Sequence, residues 1–195
     1  MLKIMANPAH NPTVLSDAPG DGLAFALCAD IDMSTIPKTK DEVIAACEKT
    51  LSLAPDEYPH DLPTEENLNG APGWYAFEYD AWVIGEAIRQ ALKKNHKLKK
   101  DKDLILWILK VAKNRNLRRG RQPFFMNLGF VGTKQHAFDV AQYLGDPDVS
   151  GHIIDTLLKM GAGGFREKVE PFIESKKVWI RNLAKRYVAR YPERA

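Results

Sequence analysis

The residues best suited to chemistry are scattered along this 195-residue chain. The histidines are His10, His60, His96, His136 and His152, and no two stand three or four apart, the spacing that places a metal pair on one helical face. Cys28 and Cys47 are the only cysteines, too few for a disulfide framework or a thiolate zinc site. Both lie in apolar surroundings, as small core residues do. The glycine-rich Gly161-Ala162-Gly163-Gly164 follows no strand and precedes no lysine, so it reads as a helix cap and turn, not a phosphate cradle. No Gly-x-Ser-x-Gly, His-Glu-x-x-His or Gly-x-Gly-x-x-Gly pattern occurs. The expectation is a chain with no catalytic residue, no resident metal and no cofactor.

Two charged stretches are better suited to binding. The first is Trp74-Tyr75-Ala76-Phe77-Glu78-Tyr79-Asp80-Ala81-Trp82, with Glu86 one turn on. On a helix, Trp74, Phe77 and Ala81 share one face, and Tyr75, Glu78, Tyr79 and Trp82 share another. Either both faces are buried, or Tyr75, Glu78, Tyr79, Asp80, Trp82 and Glu86 form a protein-binding patch with aromatic anchors. The second stretch is basic. Residues 93–102 carry six lysines, and 113–121 carry five cations in nine residues. Lys97, Lys99, Arg115, Arg118, Arg119 and Arg121 are its candidates for contact with anions or nucleic acid, though solvated helix ends are the commoner origin of such runs.

The elements that position these residues follow from composition and spacing. At 45% hydrophobic and 27% charged, the chain is too apolar for disorder. No run reaches 18 apolar residues, and the opening MLKIMANPAHNP lacks a signal-peptide core, so a cytoplasmic protein with no membrane span is expected. The net charge of +3 hides an asymmetry. Residues 1–90 hold five Lys and Arg against fifteen Asp and Glu, and residues 91–195 hold twenty-three against ten. The halves either pack together and partly neutralise each other or serve different partners. Residues 1–72 read as an acidic, partly irregular N-terminal region. It has a short apolar run at Leu23–Cys28, a helix near 39–53 opened by Asp41 and Glu42, and a Pro-rich loop over 54–73. From 73 to 195 the pattern is continuously helical. Trp74, Phe77, Ala81, Ile84, Ile88 and Leu92 line one long helix closed by the lysine run, and further apolar stripes follow, separated by short turns. Helices of roughly 10–15 residues joined by short turns describe antiparallel hairpins.

The stripes repeat. Leu117-Arg118, Val149-Ser150 and Ile180-Arg181 are spaced by 32 and 31 residues. Phe125, Leu157 and Val188 then correspond, as do Leu128-Gly129 and Met160-Gly161. The turn Gly145-Asp146-Pro147-Asp148, the aliphatic-Arg step and the helix ending in a glycine resemble the HEAT-like (armadillo-type) α-helical repeat over about 117–191, extending to 74 if a degenerate first hairpin is counted. Ser150 in place of the step's arginine, and Arg121 where a small residue is usual, depart from that pattern. The resemblance implies an all-α fold, a right-handed stack of antiparallel helical hairpins forming an α-solenoid. It also implies a structural arginine that bonds across adjacent units. HEAT-like glycosylases acting on alkylated DNA combine cations with aromatic and Asp residues, for which Trp107, Trp179 and Asp155 are this chain's counterparts by composition.

Three functional expectations follow. The leading one is a non-catalytic protein-binding module, similar in general character to immunity or antitoxin proteins that occlude a cognate toxin, with residues 56–86 offered to a basic partner. The others are a nucleic-acid-binding, glycosylase-like protein using residues 93–121, and a scaffold or assembly subunit.

Overall fold

The computed structural model describes residues 36–60 and 74–192, and every regular element among them is helical. The apolar run at Leu23–Cys28, the turn at Gly20–Gly22 and most of the 54–73 loop lie outside the described residues. Helix α1 spans Lys40–Ser52. It starts there because the Thr39 hydroxyl accepts the Glu42 amide at 3.2 Å, and Asp41 and Glu42 meet the positive end of its dipole. Helix α2, Ala76–Lys94, is the long helix that the 74–92 stripe predicts. The lysine run does not simply continue it. Asn95 takes an extended backbone, and its side chain accepts the amides of Lys97 and Leu98 at 3.0 and 3.4 Å, so a separate short helix α3 forms at His96–Lys99. Asp101 caps α4, Lys102–Lys113, in the same way.

The chain then takes a 3₁₀ course over Arg115–Arg121 before α5, Gln122–Val131, begins with Pro123 in its first turn. Helix α6 (Ala137–Ala141) and α7 (Ser150–Met160) form the next hairpin, and α8 (Arg166–Val169) and α9 (Val178–Arg190) the last. The returning helices α6 and α8 are shorter than the 10–15 residues expected from sequence. Each is flanked by a 3₁₀ turn, Lys134–His136 before α6 and Glu170–Glu174 after α8, the latter carrying Pro171, which has no amide to donate to a longer helix.

Cross-seam contacts fix how the longer helices run. Early α2 meets the segment entering α5 through Gly120, and Gly85 meets Phe124 and the side-chain amide of Asn127 further along α2 and within α5. Gln122 reaches the Asp148 carbonyl, the Thr156 hydroxyl lies 2.8 Å from the Phe125 carbonyl, and Gly132 meets Met160. Gly151 packs on Trp179, the Tyr187 hydroxyl donates to the Ala162 carbonyl, and Arg190 donates to Leu158. Helices α2, α5, α7 and α9 are therefore parallel neighbours, with four N-termini on one edge and four C-termini on the other. Helix α4 packs on α5, α6 on α7, and α1 on both α2 and α4. Phe124, Phe125 and Leu128 of α5 and Ile153, Ile154 and Leu157 of α7 are fully buried between the layers, each contributing about 1.5–3 kcal/mol.

The contact of α2 with the segment entering α5 is close enough to require glycine. A Cβ on Gly120 would lie 2.7 Å from the Glu78 carbonyl oxygen, a backbone atom held within a helix. We expect Gly120→Ala to destabilise the fold by about 1–3 kcal/mol in urea unfolding, whereas Gly145→Ala, facing open space, changes stability by less than about 0.5 kcal/mol.

Candidate functional site

The densest gathering of ionisable groups sits on the N-terminal edge, where the first turn of α2, the 115–121 segment and the 145–148 turn converge. Glu78 is fully buried. Its carboxylate accepts the Tyr75 amide at 2.7 Å, closing the N-terminus of α2, and accepts the Arg119 amide at 3.1 Å and the Arg119 Nε at 3.3 Å. Arg121 is also fully buried. Its Nε donates to the Arg118 carbonyl at 3.0 Å, its Nη1 to Ala112 at 3.4 Å, and its Nη2 to the Asp146 carboxylate. Arg115, 65% exposed at its side chain, approaches Asp146 at 3.5 Å from the outside.

Arg118 links the two halves of the cluster. Its Nε lies 3.7 Å from Glu78 and 3.8 Å from Asp148, and its Nη1 donates to the Pro59 carbonyl at 3.3 Å. The guanidinium lies near the rings of Tyr58 and Tyr75, 5.7 and 5.5 Å from their centroids. Arg118 is the one non-glycine among the described residues at positive φ, 47°. That conformation costs on the order of 1–3 kcal/mol. It turns the Arg118 carbonyl onto the Arg121 Nε while Leu117 enters the core. Segment 55–60 is held against the cluster by the Asn116 amide, which donates to the carbonyls of Pro55 and Asp56 at 2.9 and 3.1 Å, and by the Tyr58 hydroxyl, 3.5 Å from Asp148. Burial pushes the Asp148 carboxyl upward, and Asp146 reinforces the shift while Arg118 opposes it.

Chemically, this arrangement is a lock. Glu78, Asp146 and Asp148 are occupied by guanidiniums of the 115–121 segment, and Glu78 and Asp146 also by backbone amides, some of them local. Sequence reasoning named the arginines but missed Asp146, Asp148 and Tyr58. The signal available was the cation-rich 115–121 segment followed by the Asp-Pro-Asp turn at 146–148.

The structure disperses the acidic-aromatic stretch. Glu78, Trp82 and Glu86 stand four apart and are buried in one stripe of α2, and Glu86 holds the Arg89 Nε at 2.9 and 2.8 Å. Tyr75 stacks on Phe77 at 5.4 Å, Tyr79 is half-buried, and Asp80 is exposed. The six residues therefore form no continuous surface. The basic stretch divides. Arg118 and Arg121 are buried and Arg119 lies on Glu78 and the Trp74 ring, whereas Arg115, Lys97 and half-buried Lys99 reach the surface. Trp107 belongs to α4, which packs on α1 and α5, while Trp179 lies 5.2 Å from His152 at the α7–α9 seam and Asp155 pairs with Lys159 at 2.6 Å. The glycosylase-like trio is not brought together.

A second site appears on the opposite edge. Lys93 and Lys94 end α2, Lys97 and Lys99 lie on α3, and Lys159 ends α7. Lys99 and Lys159 reach over the Phe130 ring of α5 from 5.7 and 5.2 Å. The Lys134 stem lies over Gly161. Among the described residues Lys93, Lys94, Lys97 and Lys134 form no ion pair. Each terminal lysine faces the negative end of a helix dipole.

Two measurements test the lock and its surroundings. Asp146→Asn leaves the buried Arg121 without its counter-charge, and we expect a loss of about 3–5 kcal/mol in denaturant unfolding, with much of it recovered in an Arg121→Met, Asp146→Leu double variant. The pH dependence has two opposed parts. Burial pushes the His152 imidazole down to about 4. The unfolded chain therefore binds a proton near pH 6.5 that the native state refuses, and stability falls as pH drops from 6.5 toward 4. His152→Gln should remove that decline. Asp148, raised in the native state, acts in the reverse direction. The native carboxyl holds its proton where the unfolded one, near pH 4, has lost it, so Asp148→Asn should gain stability over wild type as pH rises above 4. Comparison with protein-family models, curated proteins and solved structures finds no match for this chain.

Proposed function

We propose that this chain is a non-catalytic binding module built as a HEAT-like α-solenoid, and that it docks a polyanionic macromolecule along the edge formed by the C-terminal ends of its parallel helices. The observation that carries this reading is how the charge is distributed. Glu78, Glu86, Arg118, Arg121 and Asp146 are buried in pairs within the fold, whereas the lysines at the ends of α2, α3 and α7 stay at the surface with few carboxylates among them. Fixed like charge on one edge raises the encounter rate with an oppositely charged partner. An immunity-type role would keep this architecture but requires an acidic face on the toxin, because the acidic stretch of α2 is turned largely inward.

Retention on a heparin column tests the surface. We expect a Lys93→Glu, Lys94→Glu, Lys97→Glu variant to elute at clearly lower salt than a Lys110→Glu, Lys176→Glu, Lys177→Glu variant of equal net charge. Equal elution of the two would remove the lysine edge from the reading.

A further inference from the structure

Resting on the polyanion reading, we infer that the partner of the lysine edge is the phosphate backbone of a nucleic-acid duplex. Two features of the edge favour phosphate over an acidic protein. The first is composition. Protein interfaces are organised around buried aromatic and aliphatic anchors and are depleted in lysine. This edge is made of lysine, and the exposed large apolar side chains, Leu106, Phe138 and Val178, belong to α4, α6 and the opposite end of α9. Contacts to phosphate need only cations that can reach oxygens, which position a protein on a duplex without reading its sequence.

The second feature is spacing. Lys99 and Lys159 approach the Phe130 centroid to 5.7 and 5.2 Å, so their ammoniums are no more than about 11 Å apart. That bound lies within the width of the B-DNA major groove, about 12 Å, so the two ammoniums are close enough together to meet phosphates along one stretch of backbone. Lys93, Lys94 and Lys97 extend the row on the α2 side, and Lys134 extends it beyond α7. Asp155, 2.6 Å from Lys159, is the carboxylate that touches the row among the described residues, and it reduces the contribution of that lysine. The inference differs from the 93–121 tract expected from sequence, because Arg118, Arg119 and Arg121 are withdrawn into the lock while Lys134 and Lys159 join from later hairpins.

The test is a fluorescence-anisotropy titration of the full chain with a 20-base-pair DNA duplex and, separately, with labelled poly-L-glutamate, from 20 to 200 mM NaCl. We expect duplex binding whose log affinity falls linearly with log salt. Each phosphate contact contributes about 0.9 to that slope, so a Lys94→Gln, Lys97→Gln, Lys134→Gln variant should lower its magnitude by about 3. The control variant Lys110→Gln, Lys176→Gln, Lys177→Gln should leave it unchanged, with circular dichroism showing both folded. Poly-L-glutamate binding without duplex binding overturns the nucleic-acid inference and leaves polyanion docking standing. No binding to either ligand at 20 mM salt overturns both. Duplex binding with the same slope in both triple variants overturns the assignment to this edge.

Discussion

The pairing of buried carboxylates with the arginines of residues 115–121 is the constraint on which the arrangement of helices depends. Apolar seams between helices tolerate small slips, because a leucine displaced by part of a turn still meets another apolar side chain. A buried ion pair does not, since separation leaves a desolvated charge with no counter-charge. Glu78 ties α2 to the 115–121 segment, and Asp146 ties that segment to the turn entering α7. Both ties act at N-termini, and together they fix three parallel helices along their length. The strain at Arg118 is part of the same device. With φ at 47° its carbonyl meets the Arg121 Nε, and its side chain lies among Tyr58, Tyr75, Glu78 and Asp148.

A parallel row of helices has an electrical consequence that an antiparallel bundle lacks. Dipoles in antiparallel neighbours offset one another, whereas α2, α5, α7 and α9 align their positive ends on one edge and their negative ends on the other. The side chains complement this. Glu78, Asp146 and Asp148 lie at the positive edge, and Lys93, Lys94 and Lys159 at the negative one. Among the described residues, the acidic and basic parts of the sequence meet chiefly where Glu78 pairs with Arg118 and Arg119. The carboxylates of the N-terminal edge are paired with arginines among the described residues, and lysines collect at the C-terminal edge.

Much of the helical architecture was legible in the sequence, because apolar periodicity and local capping act over a few residues. The stripe from Trp74 to Leu92 gave α2 to within two residues, and Thr39 with Asp41 and Glu42 marked the start of α1. Leu117, Val149 and Ile180, picked out by their spacing, are all buried, the first two ahead of α5 and α7 and the third within α9. The positive φ at Arg118 was not legible. Gly120, two residues on, is the residue a sequence reading would assign that conformation, yet its role is to let the Glu78 backbone approach. Nor was the fate of Glu78 legible. Its partner Arg119 is 41 residues away, and helical periodicity alone leaves the 78–82–86 stripe equally suited to solvent or to a seam.

Side-chain chemistry explains why one run of cations splits between interior and surface. Guanidinium is weakly hydrated, planar and able to donate in several directions, so burial costs it less when carbonyls and carboxylates surround it, as three carbonyl or carboxylate groups surround Arg121. Ammonium is strongly hydrated and carries no fixed fork, so lysine keeps its charge in water and lays its stem along apolar surface. Lys99 and Lys159 do so over Phe130, and Lys110 over Trp107. Read by charge alone, residues 93–121 form a single basic surface. Read by the chemistry of the two cations, the arginines of 118–121 belong to the protein's own carboxylates, and the lysines are left to meet whatever approaches from solvent.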